Sequence, residues 1–264
     1  MNAAKENLNR YRGFLQTVSL KSYREELRDV KWVEQDLPPG IQPLGSIYRN
    51  YWDAQNFWKF EKWFENFWNE INTDSIKLPI LKEFKKYHFD KDNNGWFKKG
   101  FRARMYRTWV SLLTQLDFCY AVLAAAEKIE KKLNIESNEE LDRKKIDAKI
   151  DNIGFQVEKK SERKEARSGS GSKKHKEIEI ITIPYCVYNI NEYKRKSEST
   201  RVSEKSREAY KKALDSFFKY FILLDNGFVV FGENYIQEII KNIDDIEKLK
   251  RAVDKISIEL SGEF

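Results

Sequence analysis

A chain of 264 residues with 41% hydrophobic content can bury one large core or two smaller ones, which excludes a disordered protein. Lys and Arg number 49 against 42 acids, and the net charge of +7 makes nucleic acid the leading partner class. Two cysteines, Cys119 and Cys186, with no second Cys or His at a zinc-ligand spacing, exclude a disulfide scaffold and a zinc site and fit a reducing compartment. The start is polar and no apolar run approaches about 18 residues, so the expectation is a cytoplasmic protein with neither secretion signal nor membrane span.

In chain order, the first helical unit ends near Val33, because Leu37-Pro38-Pro39-Gly40 and Pro43 break any helix. Residues 47 to 71 place Tyr48, Tyr51, Trp52, Phe57, Trp58, Phe60, Trp63, Phe64, Phe67 and Trp68 at three-to-four spacing, which predicts a core-facing aromatic helix. A base-stacking platform needs exposed rings, and these recur on a burial-like stripe. Asp90-Lys91-Asp92-Asn93-Asn94-Gly95 imitates half a calcium loop, but its twelfth position is Phe101, which cannot supply the closing carboxylate; an Asx-rich turn is the expectation. A long helix follows from about Lys98 to Lys132, with Ala124-Ala125-Ala126 permitting close packing.

After Leu133 the period changes. Ile146 to Ile150 and Phe155 to Val157 read as a hairpin around Asp151-Asn152-Ile153-Gly154, with a third strand at Glu177 to Tyr185. Arg167 to Lys173 has loop composition. A helix from Glu204 to Leu223, a turn at Asp225-Asn226-Gly227, a strand to Phe231 and two more helices complete an α/β pattern. The expected organisation is a mainly helical region over 1–132, packed on a core over 133–264.

Several chemistries fall away. Only His88 and His175 exist, neither in a nucleophile motif, and no Gly-rich phosphate loop is present. What remains is Asp142 and Asp147, five residues apart, leading into Gln156-Val157-Glu158-Lys159-Lys160. Hard oxygen ligands followed by a cation are the parts of a metal-dependent phosphodiesterase. Alternation puts Gln156, Glu158 and Lys160 on one strand face and Val157 and Lys159 on the other, unless a bulge intervenes. From Lys159 to Lys176, eight cations (Lys159, Lys160, Arg163, Lys164, Arg167, Lys173, Lys174, Lys176) face two acids, Glu162 and Glu165, enough to neutralise several phosphates. Lys194-Arg195-Lys196 with Arg201 forms a second basic patch. The competing reading is a non-catalytic DNA-binding module whose acids pair with Lys144, Lys145 and Lys149.

The same residues resemble the TaqI restriction endonucleases. The blocks that carry the resemblance are Val33-Glu34-Gln35-Asp36-Leu37-Pro38, Tyr51-Trp52, Ala103 to Thr108, Thr114-Gln115 with Phe118-Cys119-Tyr120, Leu141-Asp142 with Ile146-Asp147-Ala148, Gly154 with Gln156 and Lys159, Ile183-Pro184-Tyr185, and Asn226 to Phe231. The resemblance implies a restriction-endonuclease-like PD-(D/E)xK core with a mixed central sheet and a large helical N-terminal part. It further implies a homodimeric type II enzyme that uses Mg2+ to cut duplex DNA at the palindrome TCGA and works alongside a cognate DNA methyltransferase without a stable complex.

The family's essential acids match Asp142 and Asp147, and its catalytic lysine matches Lys159. Where the family has a further Lys before that one, this chain has Glu158, so by alignment the catalytic lysine is Lys159 and by strand geometry Lys160 competes. Asp147 is then the principal Mg2+ ligand, Asp142 a second ligand or orienter, and Gln156 or Glu158 completes the shell. Arg163, Lys164, Arg167, Lys194, Arg195 and Arg201 are the candidate DNA contacts. Hydrolysis would leave 5′-phosphates. A structure-specific or repair nuclease is the alternative enzyme.

Overall fold

The computed structural model describes residues 3–20, 37–88, 95–160, 173–175, 178–186 and 189–261. The chain divides into two compact units, one made of residues 11–116 and 225–228, the other of residues 1–10, 117–224 and 229–264.

The first unit is held together by aromatic rings. Helix α1 (Ala3–Leu15) brings Tyr11 and Phe14 into it. Helix α2 (Leu44–Tyr48) runs into a π-helical turn at Arg49–Asp53, and α3 covers Phe60–Thr73. The single aromatic helix expected over 47 to 71 is therefore broken, and Gln55, at φ 50, turns the backbone between the two pieces. The burial expectation holds: Tyr51, Phe60, Trp63, Phe64 and Phe67 are all buried. The ring centroids of Phe60 and Tyr106 lie 4.6 Å apart and those of Trp63 and Phe67 5.4 Å apart, the edge and offset contacts aromatic cores favour. Two of the buried polar tips find partners within the unit: Trp63 Nε1 donates to Ser46 Oγ at 3.1 Å, and the Tyr11 hydroxyl to the Leu113 carbonyl at 2.7 Å. Helix α4 (Lys77–His88) was not anticipated. The calcium-loop imitation at Asp90 to Gly95 falls almost entirely outside the described residues, but Phe101, its twelfth position, is fully buried as a core residue.

Helix α5 (Gly95–Lys128) begins in this unit and continues into the other. It contains an 18-residue window long and apolar enough to cross a membrane, although no uninterrupted apolar run of that length occurs in it. Because 72% of that window is buried inside the protein, it is a core helix.

The second unit is built on a five-stranded sheet of order β1-β2-β3-β5-β4, with β1 (Ile135–Glu136), β2 (Ala148–Ile150), β3 (Ile153–Lys160), β4 (Lys173–His175) and β5 (Ile178–Cys186). The expected hairpin forms, tighter than anticipated: Ile150 pairs with Ile153, leaving only Asp151-Asn152 in the turn, with Asp151 at φ 51. β5 runs parallel to β3, and β4 pairs antiparallel with β5, so the sheet is mixed. One face packs Phe155 against Phe118 of α5, with tilted rings whose centroids lie 5.7 Å apart. The other carries Ile146, Ile180 and Leu141, with Ile178 packed against them.

Around the sheet lie α6 (Glu139–Arg143), α7 (Ile190–Glu198), α8 (Glu204–Tyr220), α9 (Glu233–Asn242) and α10 (Ile246–Ser261). A small hairpin of β6 (Phe221–Leu223) and β7 (Val229–Phe231) accompanies them. Residues 221–223, expected to continue the preceding helix, instead pair with β7, and the Tyr185 hydroxyl donates to the Val229 carbonyl at 2.8 Å.

Candidate active site

The two sequence-selected acids are brought together by a short helix and the turn that ends it. Asn138 caps α6, its side-chain oxygen accepting from Leu141 N at 3.0 Å. At the other end the amides of Lys144 and Ile146 both donate to the Leu141 carbonyl, at 2.9 and 3.0 Å, and that of Lys145 to the Asp142 carbonyl at 2.8 Å. This closure needs Lys145 in the left-handed region, at φ 63. It reverses the chain so that Asp147 enters the sheet at the head of β2.

Asp147 is fixed through three groups. Its N–H donates to the Phe155 carbonyl at 2.8 Å, its carbonyl accepts from Ser137 Oγ at 2.7 Å, and its Oδ2 accepts from Val157 N at 2.6 Å. The carboxylate thus continues the β2–β3 ladder one step beyond the last backbone pair. Only 6% of Asp147 is exposed. Burial, with the negative charge of Asp142 adding to it and the Val157 N–H opposing it, pushes its pKa up from 3.8 to about 7. A buried carboxylate beside a second one, reluctant to ionise, is a donor set that a divalent cation would relieve, and Mg2+ takes one or two carboxylates and completes its shell with waters and phosphates. The pair fits such an ion.

The parallel ladder from Ile153↔Glu179 to Lys160↔Cys186 is continuous, without a bulge. Alternation therefore stands: Gln156 and Glu158 share one face, Val157 and Lys159 the other. Glu158 and Lys159 are exposed. Among the described residues no group of three or more His, Cys, Asp or Glu side chains is drawn together as a metal-holding cluster. Lys160 closes β3, but its side chain lies outside the described residues, as do Arg163, Lys164 and Arg167. Lys194 and Arg195 are exposed on α7, Lys194 with its ammonium 5.9 Å from the Phe218 ring, and Arg201 is exposed between α7 and α8.

The ion pairs expected of a non-catalytic module take other partners. Lys144 meets Glu140 at 2.7 Å and Lys149 meets Glu136 at 3.3 Å.

Sequence reasoning missed what lies behind Asp147. Ser137, 3% exposed, and the fully buried Asp117 and Cys119 stand on the interior side. Asp117 Oδ2 accepts from Phe231 N at 2.8 Å. Burial pushes the Cys119 thiol up to about 12, with a Ser137 hydrogen bond opposing and the charges of Asp147 and Asp117 adding, so it stays a neutral, unreactive thiol. An acid on the apolar stripe of α5 was a readable signal for Asp117; Ser137, in a polar run, offered none.

The sequence model of a family described as TaqI restriction endonuclease matches residues 8–243. The type II restriction enzyme TaqI of Thermus aquaticus is 33% identical over 245 residues, covering 89% of this chain and 88% of that one. A second type II restriction enzyme, from Thermus thermophilus, is 32% identical over the same length and coverage. No solved structure matches significantly. The protein is thus an enzyme of the type II site-specific deoxyribonuclease class. Within that class, the chain belongs to the TaqI restriction endonuclease family.

Proposed function

We propose that the protein hydrolyses double-stranded DNA at the palindrome TCGA, with Mg2+ held by Asp147 and Asp142, leaving 5′-phosphates. The observation that carries this reading is the buried Asp147 carboxylate, pinned to β3 by the Val157 N–H beside the charge of Asp142. Acids ahead of one strand and Glu158-Lys159-Lys160 at the end of the next are in keeping with a PD-(D/E)xK core, with Glu158 and Lys160 at the spacing of that pattern and Lys159 carried over from the family match. When bound, Mg2+ supplies a Lewis acid for the scissile phosphate and lowers the pKa of water. Asp147 and Asp142 hold the ion and fix its place relative to β3. The Gln156 amide oxygen is suited to a further ligand position on the face it shares with Glu158. Lys159 places a cation near the phosphate, where it stabilises charge as water attacks in line and the bond to the 3′ oxygen breaks.

A palindrome is read by a two-fold symmetric protein, so the working unit is a homodimer, each subunit reading half the site. The basic residues Arg163, Lys164, Arg167, Lys194, Arg195 and Arg201 supply phosphate and base contacts. A cognate methyltransferase protects the host's own sites.

Digestion of a DNA of known sequence with and without Mg2+, followed by sequencing of the fragment ends, tests this reading. Ends confined to TCGA and bearing 5′-phosphates are expected, with Asp147→Ala abolishing cutting. Binding without cutting at any metal concentration would leave a DNA-binding module, and scattered ends a structure-specific or repair nuclease.

A further inference from the structure

We infer that Lys145, in the turn between the paired acids, is a substrate-binding residue whose ammonium engages a phosphate of the DNA backbone beside the active site; this rests on the reading above that the substrate is duplex DNA. Three observations converge on it. The first is its backbone. Lys145 sits at φ 63, at the position where a helix-closing turn strongly favours glycine, because any Cβ there crowds the backbone. A lysine at that point is less favourable than glycine for the fold alone. Gln55, Glu130 and Asp151 also take positive φ, but of these four residues Lys145 alone stands between the two acids.

The second is its charge environment. The neighbouring cations are committed: Arg143 meets Glu139 at 2.6 Å, Lys144 meets Glu140 at 2.7 Å and Lys149 meets Glu136 at 3.3 Å. Among the described residues, Lys145 has no ion pair and no side-chain hydrogen bond, and it is exposed.

The third is its place. The amide of Lys145 donates to the Asp142 carbonyl at 2.8 Å, and two residues later the Asp147 carboxylate is locked onto β3. A phosphodiester brought to those carboxylates carries negatively charged neighbours along the strand, one every few ångströms. A lysine rooted between the two acids and directed to solvent is placed to hold one of them, while the acids remain for the metal. Its role is to bind and register the strand; it forms or breaks no bond.

The test uses the full-length protein and a short duplex containing TCGA, in EDTA so that binding is read without cleavage. Affinity is measured over a series of salt concentrations for wild type, Lys145→Gly, Lys145→Gln and Lys145→Arg, alongside thermal unfolding without DNA. Lys145→Gly is expected to melt about 2–4 °C higher, through relief of the left-handed strain, and yet to bind about 5–10-fold more weakly at 0.1 M salt. Lys145→Gln, which keeps a long side chain, should bind as weakly as the glycine variant. For both, the slope of log affinity against log salt should shrink by about 1 per subunit. Lys145→Arg should keep the wild-type slope. Wild-type affinity and slope in both the glycine and glutamine variants would overturn the inference while leaving the nuclease reading intact. A wild-type protein that neither binds nor cuts duplex DNA would overturn both.

Discussion

Asp147 combines two demands that pull in opposite directions. The proposed mechanism needs its carboxylate as an anion, yet burial and the charge of Asp142 hold its pKa near 7 against an ordinary 3.8. In the unfolded chain it ionises near its ordinary value, whereas the folded, metal-free protein keeps the proton until about pH 7. The folded state therefore binds more protons across that window, so this group's contribution to stability is full below about pH 4, declines as pH rises and is gone above about 7. Denaturant unfolding in EDTA should show stability falling between pH 5 and pH 8 by on the order of 2 kcal/mol from this residue. Asp147→Asn, whose amide oxygen can still accept from Val157 N, should flatten that dependence, be more stable than wild type at pH 8 and lose cleavage. An unchanged pH profile in the asparagine variant would remove Asp147 as the source.

Strand alternation separates the next two residues. Glu158 faces with Gln156, and Lys159 with Val157. Lys159→Ala is expected to lower kcat by about 10²–10³-fold with DNA affinity nearly unchanged, whereas Glu158→Gln should keep activity within about 10-fold. The reverse ranking in single-turnover assays would give Glu158 the ligand role and return Lys160 as the cation.

At the scale of elements, the acids are placed by packing. Ile146 immediately precedes Asp147, and its side chain lies against Gly154 of β3 together with Ile178 and Ile180 of β5. A Cβ at Gly154 would come within 3.2 Å of Ile178, 3.3 Å of Ile180 and 3.4 Å of Ile146. All three neighbours are β-branched and stiff at χ1, so a larger side chain presses first on Ile178 and Ile180 of β5 and, beyond the Cβ, on Ile146 beside Asp147. Gly154→Val should cost about 2 kcal/mol in chemical denaturation and, through Ile146, weaken Mg2+-dependent cleavage as well. Retention of both stability and activity would show that the β2–β3 contact does not set the position of Asp147.

The elements also divide into those legible from the chain and those not. Helix α5 followed from its apolar period, and the β2–β3 hairpin from two β-prone runs around Asp151-Asn152. The aromatic stretch reads as one helix in sequence because Tyr48, Tyr51 and Phe57 keep a helical period with Phe60 and Trp63, while the break rests on a positive φ at Gln55 that periodicity does not encode. Residues 221–223 continue the apolar run of α8, and only pairing with β7 makes them a strand.

At the scale of the whole molecule, the candidate site residues are legible because their types carry the signal. Asp142 and Asp147 stand out as closely spaced acids ahead of a strand, and the family blocks extend the same reading along most of the chain. Local sequence also determined that the aromatic stretch is core and that α5 is long and apolar. The tertiary structure decided the rest. The parallel partnership of β3 with β5, the capture of the Asp147 carboxylate by the Val157 N–H, and the interior backing of Ser137, Cys119 and Asp117 all join residues distant in sequence. A periodic pattern states which face of an element is buried, but not which other element buries it, and a pKa displaced by burial exists only once that partner has arrived.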